Sequence, residues 1–480
     1  MPKPILVWFR QDLRLSDNPA LAAAAAKGEV IPLFILDDET AGKWKWGGAS
    51  RWWLHRSLTH LAKSVPLLLR RGRADDVLRD VLKKSNVTSV HFTRDYAPWS
   101  GALEQRVKAI CDELNIECHR HGGFLLHEPE SIRNLSGGPY KVYTPFSRAC
   151  LAMGEPRPLN SAVKITWAKH ELPGDKIVEW KLLPTKPNWA SGFESEWQPG
   201  EHGAKQHLAR FIDDALENYA EGRDRPVKAF TSRLSAHLHW GEISPHQVWY
   251  SIRTAMAAAG GKLDGGGEKF LKEILWREFA YNLIHHWPEL PQKSFKLEYD
   301  NFPWVKDSAA LNTWQRGQTG YPIVDAGMRE LWATGRVHNR VRMIVASFLI
   351  KHLQIDWREG QRWFWDTLVD ADIANNAASW QWVAGCGADA APYYRIFNPM
   401  LQGSKFDPEG AYVKQWVPEL KEAPAEHVHA PWEMASPPKN YPAPMVDHAA
   451  ARTRAMTAYG KIKRQNGKVE PVSPARASLG

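Results

Sequence analysis

The chain contains 480 residues, of which 44% are hydrophobic, a balance typical of a globular protein with two or three domains. No stretch of the sequence approaches the roughly 20 consecutive apolar residues that a membrane-spanning helix needs. The four cysteines form no C-x-x-C pair, and no cysteine–histidine cluster has zinc-finger spacing. We therefore expect neither a disulfide scaffold nor a metal site. The first residues lead directly into a strand-like segment, from which we expect no secretory signal and a cytoplasmic location.

Charge and tryptophan content point to two kinds of ligand. Lysine and arginine outnumber aspartate and glutamate by 62 to 53, which is compatible with a phosphate-backbone partner, although many basic proteins bind no nucleic acid. The chain also contains 24 tryptophans. Indoles fill cores and stack on planar ligands, so this excess favours an aromatic-lined ligand site beside ordinary packing.

Residues 1–130 have the pattern of an α/β domain. We predict strands at 5–9, 30–36, 66–70, 87–93 and 116–120, and helices at 19–27, 49–63, 74–84 and 100–114. This alternation predicts a doubly wound five-stranded parallel sheet, in which ligands bind beyond the carboxyl ends of the strands. No G-x-G-x-x-G follows the first strand and no G-x-x-x-x-G-K-[ST] occurs anywhere, which disfavours a Rossmann dinucleotide site and a P-loop.

The rest of the chain divides by texture into three parts. Residues 131–200 are rich in proline and glycine, and we interpret them as an interdomain connector that runs over the surface. Residues 201–430 are almost wholly helical in pattern and predict a large all-α domain. Residues 431–480 are proline-rich and then basic, and predict a poorly packed C-terminal tail.

The first candidate site in the helical part is the segment T-S-R-L-S. It consists of Thr231, Ser232, Arg233, Leu234 and Ser235 and precedes a turn. Hydroxyls and backbone amides at a helix N-terminus can bind phosphate. The alternative interpretation is an ordinary capping segment.

Glu273, Trp276 and Arg277 form the second candidate, at the helical spacing i, i+3 and i+4. An acid, an indole and a guanidinium on one face suit the recognition of a nucleic-acid base. A surface salt bridge beside a core tryptophan explains the same spacing.

The third candidate is H-N-R-V-R-M, in which Asn339, Arg342 and Met343 share a helical face. The amide is both donor and acceptor, and the thioether offers a soft apolar contact. Arg340 points elsewhere and is suited to reach a phosphate. The alternative is a basic, solvated helix turn.

Residues 369–382 read V-D-A-D-I-A-N-N-A-A-S-W-Q-W and form the fourth candidate. If the helix starts at Asp372, then Asp372, Asn376 and Trp380 lie at i, i+4 and i+8 on one face. That face is suited to a flat ring with hydrogen-bonding edges. The alternative is a plain helix start capped by Asp370 or Asp372, with the tryptophans in the core.

These motifs, in this order, resemble those of the DNA photolyase/cryptochrome flavoproteins, most closely the cyclobutane pyrimidine dimer photolyases. The motifs are V-W-F-R-Q-D-L-R-L-S-D-N at 7–18, T-S-R-L-S at 231–235, W-R-E-F at 276–279, T-G-Y-P-I-V-D-A at 319–326, H-N-R-V-R-M at 338–343, the block at 370–382 and R-I-F-N-P at 395–399. The resemblance extends from Val7 to about Leu420, and S-R-W-W at 50–53 is similar to the class III branch near plant cryptochromes. It implies an N-terminal α/β antenna domain and a helical domain that binds FAD.

The resemblance also implies which residues contact FAD. They are Tyr219, Thr231, Ser232, Arg233, Leu234, Ser235, Asn339, Arg342, Asp370, Asp372 and Asn376. Within this set, Arg342 and Asp370 match an ion pair beside the isoalloxazine, and Asn376 matches the residue that faces flavin N5.

A pyrimidine dimer cannot be reached inside a duplex, so it must be flipped into a pocket. The resemblance assigns that pocket to Glu273, Trp276, Arg277, Asn339, Arg340, Met343 and Trp382. It also matches Trp380, Trp357 and Trp304 to a chain of tryptophans that carries electrons from the surface to oxidised flavin, although nothing local shows that the three meet. We therefore expect the catalytic residues to be Glu273, Asn339, Asn376 and these three tryptophans.

The implied activity is light-driven splitting of cyclobutane pyrimidine dimers in DNA, by an electron from excited reduced FAD. We expect a monomer without an obligate protein partner. The resemblance further implies an antenna pigment, for which the class III features favour methenyltetrahydrofolate over 8-hydroxy-deazaflavin. Asp38, Glu39 and Arg51 are the antenna candidates, and a charged loop over the sheet is the alternative for each.

The sequence departs from the family pattern at several positions. It has N-N-A-A-S-W where relatives often have N-N-G-G-W, and counting back from Trp380 gives Asn376 as the residue at N5. Arg336 replaces a tryptophan, and Phe270 stands where some relatives have tryptophan.

Two other functions compete with repair. One is a blue-light receptor that binds FAD and signals through a partner, and the other is a tryptophan-rich nucleic-acid-binding protein without a cofactor. An amide at Asn376 favours repair over signalling, since signalling cryptochromes often carry Asp or Cys there. Asn339 and Met343 favour the cyclobutane dimer, because photolyases for (6-4) lesions have paired histidines in this helix.

Overall fold

The computed structural model describes residues 3–391 and 394–465 of the chain. These residues form two compact units. The first extends to Ala220 and also includes Phe230–Pro288 and Asp366–Asp372. The second consists of Glu221–Ala229, Glu289–Trp365 and the residues from Ile373 onward.

The first unit is built on a five-stranded parallel sheet. Its strands are β1 Ile5–Phe9, β2 Val30–Leu36, β3 Leu68–Arg71, β4 Ser89–Thr93 and β5 Glu117–His121. They lie in the order β3-β2-β1-β4-β5, with all neighbouring strands parallel. The predicted doubly wound sheet is confirmed, and the strand order reverses beside β1.

Both faces of the central strands are buried, because helices cover each side. Along β1, Val7 and Phe9 enter the same hydrophobic core as Trp53, whereas Leu6 and Trp8 enter the core on the opposite face. Successive side chains of a strand point to opposite faces, so a continuous apolar run is what such a strand requires.

Eleven helices are described in the first part of the chain, up to His286. They are α1 Pro19–Ala25, α2 Gly48–Leu61, α3 Ala74–Lys84, α4 Ser100–Glu113, α5 Tyr143–Ala152, α6 Phe193–Glu196, α7 Glu201–Asp214, α8 Tyr219–Gly222, α9 Ser235–His239, α10 Pro245–Ala258 and α11 Asp264–His286. The start of α1 shows why the sequence folds as it does. Asn18 caps the helix by accepting a hydrogen bond from the Leu21 amide at 3.0 Å, and Pro19 occupies the first helical position.

The predicted connector at 131–200 does not simply run over the surface. It contains α5, and it packs Trp180, Phe193 and Trp197 into the core that β1 shares. The prediction was wrong on this point because prolines removed the periodicity by which buried residues are usually found.

The second part of the chain is helical. Its helices are α12 Ser308–Gln315, α13 Pro322–Thr334, α14 Asn339–Ser347, α15 Trp357–Thr367, α16 Ile373–Ala384, α17 Pro399–Phe406, α18 Ala411–Trp416 and α19 His448–Gln465. Helices α13 and α14 approach closely at Gly327, where an added Cβ would lie 2.4 Å from Val341 Cγ1. Gly335 ends α13 in the left-handed region, with φ of 68°.

Two sequence-based expectations for this part are corrected. The helix expected from Asp372 starts one residue later, at Ile373. The expected poorly packed tail contains α19, which buries Ala451, Ala455 and Ile462. Alanines at helical spacing pack closely without large apolar side chains, which is why the sequence pattern was misleading. The remainder of the predicted tail, 466–480, lies outside the described residues.

Candidate functional site

The T-S-R-L-S segment of the first unit leads into the short helix α9. Arg233 lies in the left-handed region, with φ of 55°, and its Nη2 donates to Glu196 Oε2 at 3.0 Å. Leu234 is buried. Ser232 Oγ accepts a weak hydrogen bond from the Leu234 amide at 3.4 Å. Arg233 and Leu234 thus have structural partners within the unit. Ser235 is the first residue of α9, and Thr231 and Ser232 lie in the segment before it.

Tyr219 lies at the start of α8 and is buried. Its ring packs edge-on against Phe211 and Phe270, with both centroid distances at 5.4 Å. Phe270 thus supports the position of Tyr219.

Asp372 is buried and receives the phenol hydroxyl of Tyr281 as a hydrogen-bond donor. His239 Nδ1 lies 3.8 Å from the same carboxylate oxygen. Burial and the Asp372 charge raise the pKa of Tyr281 well above its ordinary value, so the phenol stays protonated and donates. Asp370 lies two residues earlier and is half-buried. Tyr281 and His239 were missed by the sequence analysis, and the only local signal was the i+4 spacing of Tyr281 from Arg277.

The second candidate, on α11, does not form one converging face. Trp276 stacks on Tyr143 with centroids 3.6 Å apart and planes 6° apart. Glu273 keeps 26% of its side chain exposed and lies 4.0 Å from Lys269 Nζ.

Arg277 turns to different partners and is buried. It donates to the Phe124 carbonyl at 3.0 Å, and its guanidinium lies 4.4 Å from the Phe124 ring and 5.1 Å from the Tyr281 ring. The expectation that it shares a surface with Glu273 and Trp276 is therefore wrong in geometry. Arg277 is buried, although it lies four residues after the partly exposed Glu273, because the loop that carries Phe124 covers it.

In the second unit, α14 presents polar groups of different exposure. Asn339, its first residue, is exposed, and Met343 is half-buried. Arg340 donates from Nε and Nη2 to the two carboxylate oxygens of Asp224 at 3.3 and 2.9 Å, and its guanidinium lies 4.4 Å from the Phe406 ring. Arg342 Nε donates to the Val337 carbonyl at 2.8 Å.

Asn376 is buried on α16 and is tied to α15. Its Nδ2 donates to the Gln361 carbonyl at 3.0 Å. Gln361 is itself fully buried, and its side-chain Nε2 and Oε1 have no hydrogen-bond partner among the described residues. A buried amide without partners is costly, so this environment is suited to a ligand with donor and acceptor edges.

The indole of Trp380 is packed into a cluster of aromatic rings. Its ring lies 5.0 Å from Phe364 and 6.3 Å from Trp314, measured between centroids. Gly360 is required for this packing, since an added Cβ would lie 2.1 Å from the indole. The tryptophan cluster therefore includes Trp314, which the sequence analysis did not single out.

The other predicted tryptophans have separate neighbours. Trp357 is fully buried with the Arg358 guanidinium 4.5 Å from its ring. Trp304 packs on Phe302 with centroids 4.3 Å apart. Trp382, which the resemblance assigns to the lesion pocket, is half-buried.

Two of the antenna candidates, Asp38 and Glu39, lie in the loop after β2, whereas Arg51 lies in the first turn of α2. Asp38 accepts hydrogen bonds from Arg51 and, at 3.0 Å, from Arg71 Nη2. Arg51 Nε also donates to the Trp46 carbonyl at 2.9 Å. Glu39 is exposed. Asp38 and Arg51 thus form an ion pair.

Two family models match the chain. A model described as DNA photolyase matches residues 5–163, and one described as the FAD binding domain of DNA photolyase matches residues 270–461. Among the described residues, no helix is both long enough and apolar enough to cross a bilayer.

Curated relatives match over nearly the full chain. The deoxyribodipyrimidine photo-lyase of Agrobacterium fabrum is 48% identical over 478 residues, which are 96% of this chain and 98% of that protein. The Escherichia coli deoxyribodipyrimidine photo-lyase is 37% identical, with 96% of this chain and 99% of that protein covered. Cryptochrome-1 of Arabidopsis thaliana is 36% identical, with 93% and 69% covered.

A solved structure agrees with this placement. The bacterial class III photolyase from Agrobacterium tumefaciens matches with a TM-score of 0.92 and 48% identity, covering 97% of this chain and 98% of that one. A doubly wound parallel sheet followed by a helical domain that matches an FAD-binding family model defines a two-part flavoprotein fold. The chain belongs to the DNA photolyase/cryptochrome family. The predicted family and fold class are thereby confirmed.

Proposed function

We propose that this protein is a light-driven DNA repair enzyme, a deoxyribodipyrimidine photo-lyase that splits cyclobutane pyrimidine dimers. The observation that carries the proposal is 48% identity along 96% of the chain to a protein of that name. The structure adds a buried amide and a buried carboxylate, Asn376 and Asp372, in the segment that the resemblance assigns to the flavin.

The residues present suit FAD in each unit taken separately. In the second unit, the side-chain amide of Gln361 lies beside Asn376 and is buried with no hydrogen-bond partner in the described part of the chain. In the first unit, Nε2 of His239, whose ring lies beside Asp372, is likewise buried without a partner among the described residues. Buried donors and acceptors of this kind are normally satisfied, and a flavin or a diphosphate offers the complementary groups.

We propose that the residues holding FAD are the set expected from the resemblance. They are Tyr219, Thr231, Ser232, Arg233, Leu234, Ser235, Asn339, Arg342, Asp370, Asp372 and Asn376. When bound and reduced, FAD supplies the light-excited electron that opens the cyclobutane ring. The protein holds Asp372 by the Tyr281 hydroxyl and Asn376 by the Gln361 carbonyl, so protein groups orient both side chains.

A dimer flipped out of DNA needs apolar walls for its rings and a few polar groups for its edges. We propose Trp276, Met343 and Trp382 as the walls, all of which are half-buried rather than enclosed. Glu273 and Asn339 remain accessible for the edges of the dimer.

Two arginines complete the proposed lesion pocket in different ways. Arg277 is buried and acts indirectly, by supporting the loop at Phe124. Arg340 contributes charge toward DNA phosphates while Asp224 orients it.

Trp380, Trp357 and Trp304 are proposed to relay electrons from the surface when the flavin is oxidised. Trp380 and Trp357 are buried, whereas Trp304 is half-buried, an order of exposure that suits a path toward solvent. Removal of Trp380 tests the path at its inner end.

We also propose an antenna pigment, a domain division and a DNA partner. The antenna pigment is methenyltetrahydrofolate rather than 8-hydroxy-deazaflavin, and Asp38, Glu39 and Arg51 are its candidate contacts. We propose domains at 1–130 for the antenna, 131–200 for the connector, 201–430 for FAD and the lesion, and 431–480 for the tail. The partner is DNA containing cyclobutane dimers, bound by a cytoplasmic monomer.

A blue-light receptor is the second candidate, favoured by 36% identity to cryptochrome-1 of Arabidopsis thaliana. One experiment separates the two. Purified flavin-loaded protein is reduced and mixed with oligonucleotides carrying either a cyclobutane thymine dimer or a (6-4) lesion, and then illuminated. We expect repair of the cyclobutane substrate alone. Bound flavin with no repair of either substrate would support the receptor and reject the photo-lyase activity.

A further inference from the structure

One buried carboxylate accepts hydrogen bonds from two residues of the loop that connects α13 to α14. Glu330, on α13, is 3% exposed. Its Oε1 accepts from Arg336 Nη1 at 3.0 Å, and its Oε2 accepts from the His338 backbone amide at 3.2 Å and from the Tyr412 hydroxyl at 2.5 Å. A buried carboxylate with three donors, one of them a guanidinium, is well compensated and geometrically fixed.

The same connection determines where α14 begins. His338 Nδ1 accepts from the Arg340 amide at 3.2 Å and thus caps the helix. Asn339 is the first helical residue and is exposed. Any shift of His338 therefore moves Asn339 directly, since no residue lies between them.

The far side of the connection is also constrained. Thr334 Oγ1 donates to the Glu330 carbonyl at 2.8 Å and accepts from the Arg336 amide at 3.2 Å. Gly335 supplies the left-handed turn that ends α13. The end of α13 and the start of α14 are both fixed by hydrogen bonds. The ion pair of Arg336 with Glu330 then holds the middle of the loop against α13.

We infer that Glu330, together with Arg336 and Tyr412, is a positioning residue for lesion recognition: it fixes the orientation in which α14 presents Asn339 to the dimer. The inference rests on the proposed function. Arg336 is suited to this task because its guanidinium brings a positive charge to the buried carboxylate of Glu330.

A purely structural role makes a different prediction from a positioning role. If Glu330 only stabilised the fold, its loss would weaken flavin retention and every kind of DNA binding together. If it orients Asn339, its loss weakens binding of the dimer selectively, because contacts to phosphates of undamaged DNA do not use Asn339.

The test uses the full-length, flavin-loaded protein in the dark at one fixed salt concentration. Dissociation constants are measured for an oligonucleotide with one thymine dimer and for the same undamaged oligonucleotide. Glu330→Gln keeps the shape of the side chain but removes its charge. We expect it to raise the dissociation constant for the dimer-containing oligonucleotide about tenfold and to change that for the undamaged oligonucleotide by less than about twofold. Flavin content is expected to be unchanged.

Three further variants make the test independent of a folding failure. Arg336→Met is expected to reproduce the effect of Glu330→Gln. Arg336→Lys, which keeps the charge, is expected to retain most of the wild-type affinity for the dimer-containing oligonucleotide. Tyr412→Phe removes one donor and is expected to raise the dimer constant about threefold.

Glu419→Gln is the matched control. Glu419 pairs at 2.8 Å with Arg329, which lies on α13 like Glu330, and within residues 3–391 and 394–465 it makes no hydrogen bond to His338. It is expected to bind both oligonucleotides like the wild type. An unchanged dimer constant in Glu330→Gln, or an equal loss for both oligonucleotides, overturns the inference. Failure of the wild type itself to repair a dimer in light rejects the proposed function instead.

Discussion

The side-chain amide of Asn376 donates a hydrogen bond to the main-chain carbonyl of Gln361 over 3.0 Å. This bond joins α16 to α15 and fixes which end of the amide faces α15. The residue proposed to address flavin N5 is thus held by backbone, which does not change with the conformation of neighbouring side chains.

Replacement of Asn376 by aspartate should therefore damage repair more than folding. An ionised carboxylate cannot donate to the Gln361 carbonyl and would turn a negative charge toward it. We expect Asn376→Asp to lower repair per bound flavin at least about tenfold, comparable to the loss of one charge-sensitive hydrogen bond. The measurement is thymine restored per absorbed light in protein that was chemically reduced beforehand.

Asn375→Asp is the control, and it also tests the register of the departure at N-N-A-A-S-W. Asn375 is half-buried. The Asn375 variant should retain repair. If it loses repair while Asn376→Asp keeps it, the assignment of the residue at N5 is off by one position.

Trp380→Phe should separate photoreduction from repair. The indole is buried against Gly360, so truncation leaves a cavity that costs about 1–3 kcal/mol of folding stability. We expect photoreduction of oxidised flavin to be lost, while the pre-reduced variant retains at least about half of the repair activity. Flavin absorbance under illumination and dimer repair measure the two quantities.

Trp314→Phe serves as the comparison, since Trp314 belongs to the same aromatic cluster but has its Nε1–H bound to the Val345 carbonyl at 3.0 Å. It should lose stability without losing photoreduction. Equal loss of repair and photoreduction in Trp380→Phe would mean that the residue is structural.

Glu273→Ala should reduce lesion recognition and leave the flavin in place. The carboxylate is partly exposed and its contact with Lys269 is long, at 4.0 Å, so little stability is at stake. We expect the dissociation constant for dimer-containing DNA to rise about tenfold, with flavin content unchanged.

Glu268→Ala, on the same helix α11, provides the matched control. Glu268 lies 3.6 Å from Lys272 in an equivalent surface pair. Titration of both variants with damaged and undamaged oligonucleotide separates the sites. Similar behaviour of the two variants would remove Glu273 from the proposed pocket.

Glu278 should make stability depend on pH. Burial raises its pKa to about 7 despite hydrogen bonds from the backbone amides of Leu126 and His127 at 2.9 and 3.1 Å. Because the pKa in the folded protein exceeds that of the unfolded chain, the folded state holds a proton that the unfolded chain releases. The protonated Glu278 carboxyl therefore adds up to about 3 kcal/mol to the free energy of unfolding. This contribution is fully present below about pH 4.5 and is lost as the pH rises through about 7.

Glu278→Gln removes this titration. Between pH 5 and 8.5 the unfolding midpoint of the wild type should therefore fall relative to that of the variant. Thermal unfolding at both pH values measures the difference. Parallel pH profiles of the two proteins would show that the Glu278 carboxyl does not titrate in this range.

The sheet was predictable because its inner strands are buried on both faces. The apolar runs at 5–9 and 30–36 coincide with β1 and β2. The edge strand β5 begins one residue later than predicted, at Glu117, since its mixed polar side chains carry little pattern. Core residues such as Trp180 escaped prediction because their segment has no regular period.

The candidate site was predictable as a set of residues but not as a set of contacts. Tyr281 and Asp372 are 91 positions apart, and Glu330 and Tyr412 are 82 apart, so only the fold brings them together. Spacing along one helix did not predict that Arg277 would turn to the Phe124 carbonyl. The loop that covers a helix face is set by tertiary packing, which local spacing does not encode.

Light-dependent repair of a single thymine dimer is the most direct test of the proposed photo-lyase activity. Purified protein with its flavin reduced is mixed with a dimer-containing oligonucleotide, divided between blue light and darkness, and the restored thymines are quantified. We expect multiple repaired dimers per protein in light and none in darkness. Bound, reduced flavin with no repair in light would contradict it.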